Sequence, residues 1–220
     1  MKYILFDLDG TITESGTGII NSVKYALEKM NIPPLEESTL KKFIGPPLIQ
    51  SMMKYAGMNE KEAQEGLRLY RVYFEEKGIF ENVVYPGVEE LLKELSKKNM
   101  KTAIATSKPE KYAKMITEHF GLDRYLCGVY GATMNEKMVE KSEIIKYAME
   151  GIGIQESEYN EVIMVGDRMH DIHGAKQNNI KSIGVLYGYG DIQELNRAGA
   201  DYIAVHPADI LDIINKITIV

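Results

Sequence analysis

A chain of 220 residues has room for one full domain and a smaller companion, and three domains are not expected. Its composition, 45% apolar and 26% charged, is ordinary for a soluble globular protein. The net charge of -6 and the lack of a Lys/Arg cluster speak against nucleic acid or an anionic membrane as a partner. The single cysteine, Cys127, excludes an intramolecular disulfide and fits a reducing compartment. Set in the apolar run Leu126-Cys127-Gly128-Val129-Tyr130, it is expected to be a small buried hydrophobe. Acidic residues arrive at position 7, before an apolar signal-peptide core can form, and no stretch approaches membrane-spanning length. A cytoplasmic location is therefore expected.

In chain order, strand-like runs are expected at residues 2–8, 101–106, 127–132, 161–165, 181–186 and 201–205. Several are near-continuous apolar runs, as in strands covered on both faces. Amphipathic stretches at 87–99, 109–120, 141–150, 171–178 and 191–197 lie between them, and 207–217 closes the chain as a helix. Ser107-Lys108-Pro109-Glu110 carries the signals of a helix start: a capping Ser, a first-turn Pro and Glu three residues on. The alternation predicts an α/β fold, with a parallel sheet wrapped by helices and right-handed crossovers. From residue 16 to 82 the pattern is helical instead. Ile20, Val23, Ala26, Leu27 and Met30 recur at helical spacing, as do Leu67, Tyr70, Tyr73 and Phe74, with breaks at Pro33-Pro34, Gly45-Pro46-Pro47 and Gly57. This segment reads as a helical domain inserted after the first strand.

The chemistry is expected at the carboxyl ends of the strands, where open parallel sheets bind ligands. The first strand delivers Asp7 and Asp9, which point the same way because they are two apart in an extended segment. Like charges so close destabilise the fold unless a cation or specific hydrogen bonds compensate. Gly10 lets the chain turn beyond them. The second strand delivers Thr106 and Ser107 ahead of a helix amino terminus suited to an anion. The fourth delivers Gly166 and Asp167, with Asp171 following. Four carboxylates and few softer donors describe an oxyanion site with a hard, oxygen-liganded cation, and Mg2+ suits it better than zinc. A lysine after the third strand is expected to balance phosphate charge. Lys141, at a helix start, is preferred to its rival Lys137.

The order Asp7-Leu8-Asp9-Gly10-Thr11, Thr106-Ser107, Lys141 and Gly166-Asp167 through Asp171 resembles the motif set of the haloacid dehalogenase-like hydrolases. The insert resembles the helical cap of their phosphoglycolate phosphatase-like branch. The resemblance implies a Rossmann-like catalytic core from residues 1–15 and 83–220, with a helical-bundle cap domain at 16–82. It also implies Asp7 as nucleophile, forming an aspartyl phosphate, and Asp9 as the group that moves the proton. Mg2+ is then held by Asp7, Asp9 through its backbone carbonyl, Asp167 and Asp171. Thr106, Ser107 and Lys141 form the phosphate-binding set. Gly45, Pro46 and Pro47 of the insert are assigned to substrate choice.

Plainer roles stand beside these. Ser107 reads as a helix cap, Asp171 as a first-turn helix charge, and the Tyr70, Tyr73 and Phe74 stripe as core. His170 and His173 flank Asp171 without being needed as ligands, and a salt bridge is the ordinary fate of Arg168. Relatives that cleave carbon–halogen bonds lack the second aspartate, so Asp9 favours phosphoryl transfer. Lys41 and Lys42 belong to a solvated helix face rather than to a Schiff base. The expected substrate is a small phosphorylated metabolite, phosphoglycolate or a nucleoside monophosphate. The alternatives are a sugar phosphomutase of the β-phosphoglucomutase type and a catalytically weak regulatory binding module. Oligomeric state is not readable from the residues.

Overall fold

The first strand, β1 (Tyr3–Phe6), is buried along its whole length, as its unbroken apolar sequence requires of a strand covered on both faces. A computed structural model describes residues 1–135 and 137–218. The chain divides into two units, one of Met1–Thr13 with Val84–Val220 and one of Glu14–Val83. Among the described residues no helix is long and apolar enough to cross a membrane.

The chain leaves the first unit through β2 (Thr13–Glu14) and enters α1 (Gly16–Lys29), α2 (Glu37–Leu40), α3 (Leu48–Ala56) and α4 (Glu60–Tyr73). It returns through β3 (Val83–Val84), which pairs with β2. In the helical unit α1 packs on α4, burying Ile19, Val23, Ala26 and Leu27 on one side and Ala63, Leu67 and Tyr70 on the other. Asn59 and Glu62 close a capping box at the start of α4. Tyr70 and Phe74 are buried and stack at 5.4 Å inside this unit, so they are core, whereas Tyr73 is only partly buried and donates its hydroxyl to Glu81 at 3.0 Å. Lys41 and Lys42 are exposed, and Lys41 lies 3.4 Å from Glu37. After α4 a π-helical turn, Phe74–Gly78, presents Gly78 to Gly18 of α1. A Cβ on Gly18 would run into the Gly78 carbonyl, so glycine there is what lets the two backbones meet.

The second stretch of the first unit runs α5 (Val88–Lys97), β4 (Lys101–Pro109), α6 (Glu110–His119), β5 (Gly128–Ala132) and α7 (Lys141–Ile152). It continues through β6 (Val162–Gly166), α8 (Met169–Gln177), β7 (Lys181–Val185), α9 (Ile192–Ala198), β8 (Tyr202–Ala204) and α10 (Pro207–Thr218). The six long-range strands form one sheet in the order β5-β4-β1-β6-β7-β8, every neighbouring pair parallel. All six expected strands are present, with small differences at their ends. The largest is in β4, which runs on through Ser107 to Pro109 with a register shift against β5 between Thr106 and Pro109.

Two expectations are corrected here. Ser107 does not cap a helix: α6 begins at Glu110 behind Pro109, and the Ser107 hydroxyl donates to Val139 O at 3.3 Å. Cys127 is exposed rather than buried, because it enters β5, the edge strand of the sheet. Partial burial of its thiol still pushes the pKa up.

Replacing Gly18 by Ala tests the close approach in the helical unit. Helix propensity favours Ala by about 1 kcal/mol, whereas overpacking against a backbone carbonyl costs about 1–3 kcal/mol. The expected net result is a thermal midpoint lower by a few degrees in a melting experiment. A raised midpoint would mean that α1 and the π-helical turn separate without cost.

Candidate active site

The strand order reverses between β1 and β6, and ligands of such sheets bind at the carboxyl ends of the strands flanking that point. Asp7 leaves β1 there, its N–H still donating to Val165 O of β6 at 2.9 Å. The chain then turns around the Leu8 carbonyl, which accepts from the N–H groups of Thr11, Ile12 and Thr13 at 3.3, 2.9 and 2.9 Å. Gly10, with φ of +83°, makes the reversal possible. Asp167 follows the end of β6, and Asp171 occupies the first turn of α8, where its Oδ2 accepts from the Arg168 N–H at 3.1 Å.

Lys141 opens α7 and sits buried among these acids. Its Nζ lies 2.9 Å from Asp7 Oδ1 and 2.8 Å from Asp171 Oδ1, and donates to Ala105 O at 3.1 Å. Burial alone would lower its pKa, but Asp171 and Asp7 together hold it above the ordinary lysine value. Lys137, by contrast, is exposed. Asp7 is raised, first by burial and then by Asp171, while Lys141 and the Thr106 hydroxyl pull the other way. Leu8 N–H also donates to Asp7 Oδ1, at 2.7 Å. Asp167 stands well above the ordinary carboxylate range because it is buried beside Asp171 and Asp7. It accepts from Tyr189 N–H at 2.8 Å and from the Thr11 hydroxyl at 3.3 Å.

Asp9 lies apart from this trio. Both of its carboxylate oxygens accept from Lys108 Nζ, at 2.9 and 2.7 Å. Ser107, between Thr106 and Lys108 on β4, directs its hydroxyl to Val139 O instead. His170 and His173 stay outside the acidic cluster. Arg168 pairs with Glu194 at 2.8 Å, which ties the start of α8 to α9. Gly45, Pro46 and Pro47 belong to the helical unit, just before α3, where Gly45 has φ of +103°.

Asp7, Asp167 and Asp171 each offer one oxygen, all within 4.8 Å of one another and all buried. Among the described residues Asp171 Oδ1 has no hydrogen-bond partner, although it forms an ion pair with Lys141 at 2.8 Å. Three buried carboxylates with an under-satisfied oxygen fit a hard divalent cation.

The family model of the haloacid dehalogenase-like hydrolases matches residues 4–185. The chain belongs to that family. The 5'-nucleotidase of Pseudomonas aeruginosa is 40% identical over 192 residues, 87% of this chain and 86% of that one. A phosphoglycolate phosphatase of Vibrio parahaemolyticus is 27% identical over 222 residues, 97% of this chain and 96% of its own. Among solved structures, a predicted phosphatase from Clostridium acetobutylicum matches with a TM-score of 0.92 at 44% identity, covering 98% of both chains.

Three contributors to this haloacid dehalogenase-like site were not found from the sequence: Lys108, Thr11 and the loop Tyr187-Gly188-Tyr189-Gly190. The loop follows β7 and wraps Asp167. A Cβ on Gly10, Gly188 or Gly190 would each run into Asp167. Two glycines alternating just past a strand end are a signal of such close approach, and Lys108 shares strand alternation with Thr106.

Burial of Asp167 makes the folded protein hold a proton that the unfolded chain, with an ordinary carboxyl near 3.8, releases. Without a cation, this group's contribution to stability therefore falls as pH rises from the unfolded value through the raised folded one. A divalent cation takes the place of the proton. The rise in thermal midpoint on replacing chelator by metal is expected to grow as pH climbs above the ordinary carboxyl value of 3.8. A rise that shrinks as pH climbs would remove the trio as the ion's site.

Proposed function

We propose that this haloacid dehalogenase-like phosphatase is a Mg2+-dependent hydrolase of a small phosphorylated metabolite, working through an aspartyl phosphate on Asp7. The observation that carries the reading is the buried Asp7 carboxylate, paired with Lys141 and grouped with Asp167 and Asp171. Asp7, Asp167 and Asp171 would hold the ion, and the family resemblance adds the Asp9 carbonyl to that set. Bound there, Mg2+ supplies the positive charge that lets an anionic carboxylate approach an anionic phosphate.

Asp7 attacks phosphorus in line, forming an oxygen–phosphorus bond as the ester bond breaks. Asp9 gives its proton to the leaving oxygen. Water then attacks phosphorus, Asp9 takes the water proton, and the Asp7 carboxylate is released with inorganic phosphate. Thr106 and Lys141 hold the equatorial oxygens while charge redistributes. The greater likeness to the nucleotidase, 40% against 27% for the phosphoglycolate phosphatase, ranks nucleoside monophosphates first among candidate substrates. The helical unit is assigned to substrate choice, because its sequence departs from the core directly after the Asp9 turn.

A panel of nucleoside monophosphates, phosphoglycolate, sugar phosphates and p-nitrophenyl phosphate, ranked by kcat/KM with Mg2+, tests the reading. Nucleoside monophosphates are expected to lead, and Asp7→Asn is expected to lower kcat by about 1000-fold or more, about 4 kcal/mol. Isomerisation of a sugar phosphate without phosphate release would make the chain a mutase. Turnover of nothing, unchanged in Asp7→Asn, would leave a binding module. Gly45→Val strains a loop whose φ is positive, so KM for the preferred metabolite is expected to rise while kcat for p-nitrophenyl phosphate holds. Equal loss on both would take the loop out of substrate choice.

A further inference from the structure

The Lys108–Asp9 pair is the tightest contact of the site that the reaction scheme leaves without a task. Lys108 is a lysine with 8% of its surface exposed, and its ammonium donates to both Asp9 oxygens, at 2.9 and 2.7 Å. A lysine on a solvated face needs no such burial. Its placement is built into the strand. The register shift of β4 against β5 falls between Thr106 and Pro109, and irregularities of this kind re-aim side chains. Gly131 of β5 lies so close that a Cβ there would stand 2.6 Å from the Lys108 carbonyl oxygen. The Lys108 N–H in turn donates to the Thr106 hydroxyl at 3.2 Å, fixing a neighbour that bonds Asp7. One residue thus touches both halves of the site, Asp9 by its side chain and Thr106 by its backbone.

A carboxylate that accepts from one ammonium through both oxygens has both of them engaged by that lysine. The proton transfers proposed for Asp9 need one of them released. We propose that Lys108 is the positioning residue for Asp9: it holds the carboxylate through both oxygens at rest and gives up one of them when substrate arrives. The remaining bond keeps Asp9 aimed, while the released oxygen takes up a proton from solvent water and passes it to the leaving oxygen. No covalent step is added. The inference rests on the function proposed above, since it assigns a task through Asp9.

The test uses leaving groups of different need. p-Nitrophenolate departs without a proton, whereas the alkoxide of a metabolite ester requires one. General acid catalysis is worth about 100-fold or more, so Lys108→Met is expected to lower kcat on the preferred metabolite by about 100-fold. On p-nitrophenyl phosphate the expected loss is below about 10-fold. Lys108→Arg should recover most of the difference, and in an Asp9→Asn background Lys108→Met should have little further effect. Circular dichroism and a melting curve on each variant establish that it is folded, and Lys108→Arg carries the test if Lys108→Met is not. Equal losses on both substrates, or losses that multiply with Asp9→Asn, would overturn the proposal and make Lys108 a phosphate contact or a structural ion pair. If the unaltered protein releases phosphate from neither substrate, the phosphatase reading itself has failed, and the positioning role falls with it. If it does so and only the leaving-group dependence is absent, that reading stands and the role of Lys108 alone is lost.

Discussion

Too much negative charge is gathered at one edge of the sheet, and the rest of the site is arranged around that fact. Asp7, Asp9, Asp167 and Asp171 meet where β1 and β6 end, with Lys141 and Lys108 among them. Counted as fully ionised, the four acids exceed the two lysines by two negative charges. A pair of like charges about 4 Å apart costs about 4 kcal/mol at an effective dielectric near 20. The fold relieves this in several ways at once. Lys141 is shared by Asp7 and Asp171, backbone N–H groups serve Asp7, Asp167 and Asp171, and the glycine-rich loop after β7 closes on Asp167. What remains equals the charge of one divalent ion, and three of the four acids form a cluster that could hold one.

The strand order is what makes the gathering possible. Placing β1 between β4 and β6 lets one short strand receive Thr106 and Lys108 from one side and Asp167 from the other. Lys141 and Asp171 then arrive from the first turns of α7 and α8, which pack on each other. The side chains come from positions far apart in sequence, yet each sits within a few residues of a strand end or a helix start. That is where backbone groups are left unpaired and polar side chains are wanted.

Much of this was legible in the sequence, for a physical reason. Strands buried on both faces are written as continuous apolar runs, so six strands and the helices between them could be placed within a few residues. The misses came where a distant partner overrode a local rule. Ser107 satisfies the local pattern of a cap, but Val139 O lies in reach and β4 continues past it. Cys127 has apolar neighbours, yet whether β5 is an edge or a central strand is not written in β5. Arg168 had no assigned task beyond a salt bridge, and its partner, Glu194, comes from α9. The π-helical turn at Phe74–Gly78 exists to bring Gly78 to Gly18, a contact invisible to periodicity.

The opening acidic pair illustrates the limit most clearly. Residues two apart on a strand are expected to share a direction, and at the sequence level Asp7 and Asp9 look like equivalent members of one cluster. The turn around the Leu8 carbonyl separates them, and each acquires its own lysine. Lys141 binds Asp7 into the buried trio, while Lys108 takes both oxygens of Asp9. The two cations therefore sort four similar acids into three that suit a metal and one set apart from it. A nucleophile must stay ionised beside the ion, whereas a proton carrier must be free to change state. The difference between the roles proposed for the pair would follow from which lysine each aspartate meets, and neither lysine lies near it in the sequence.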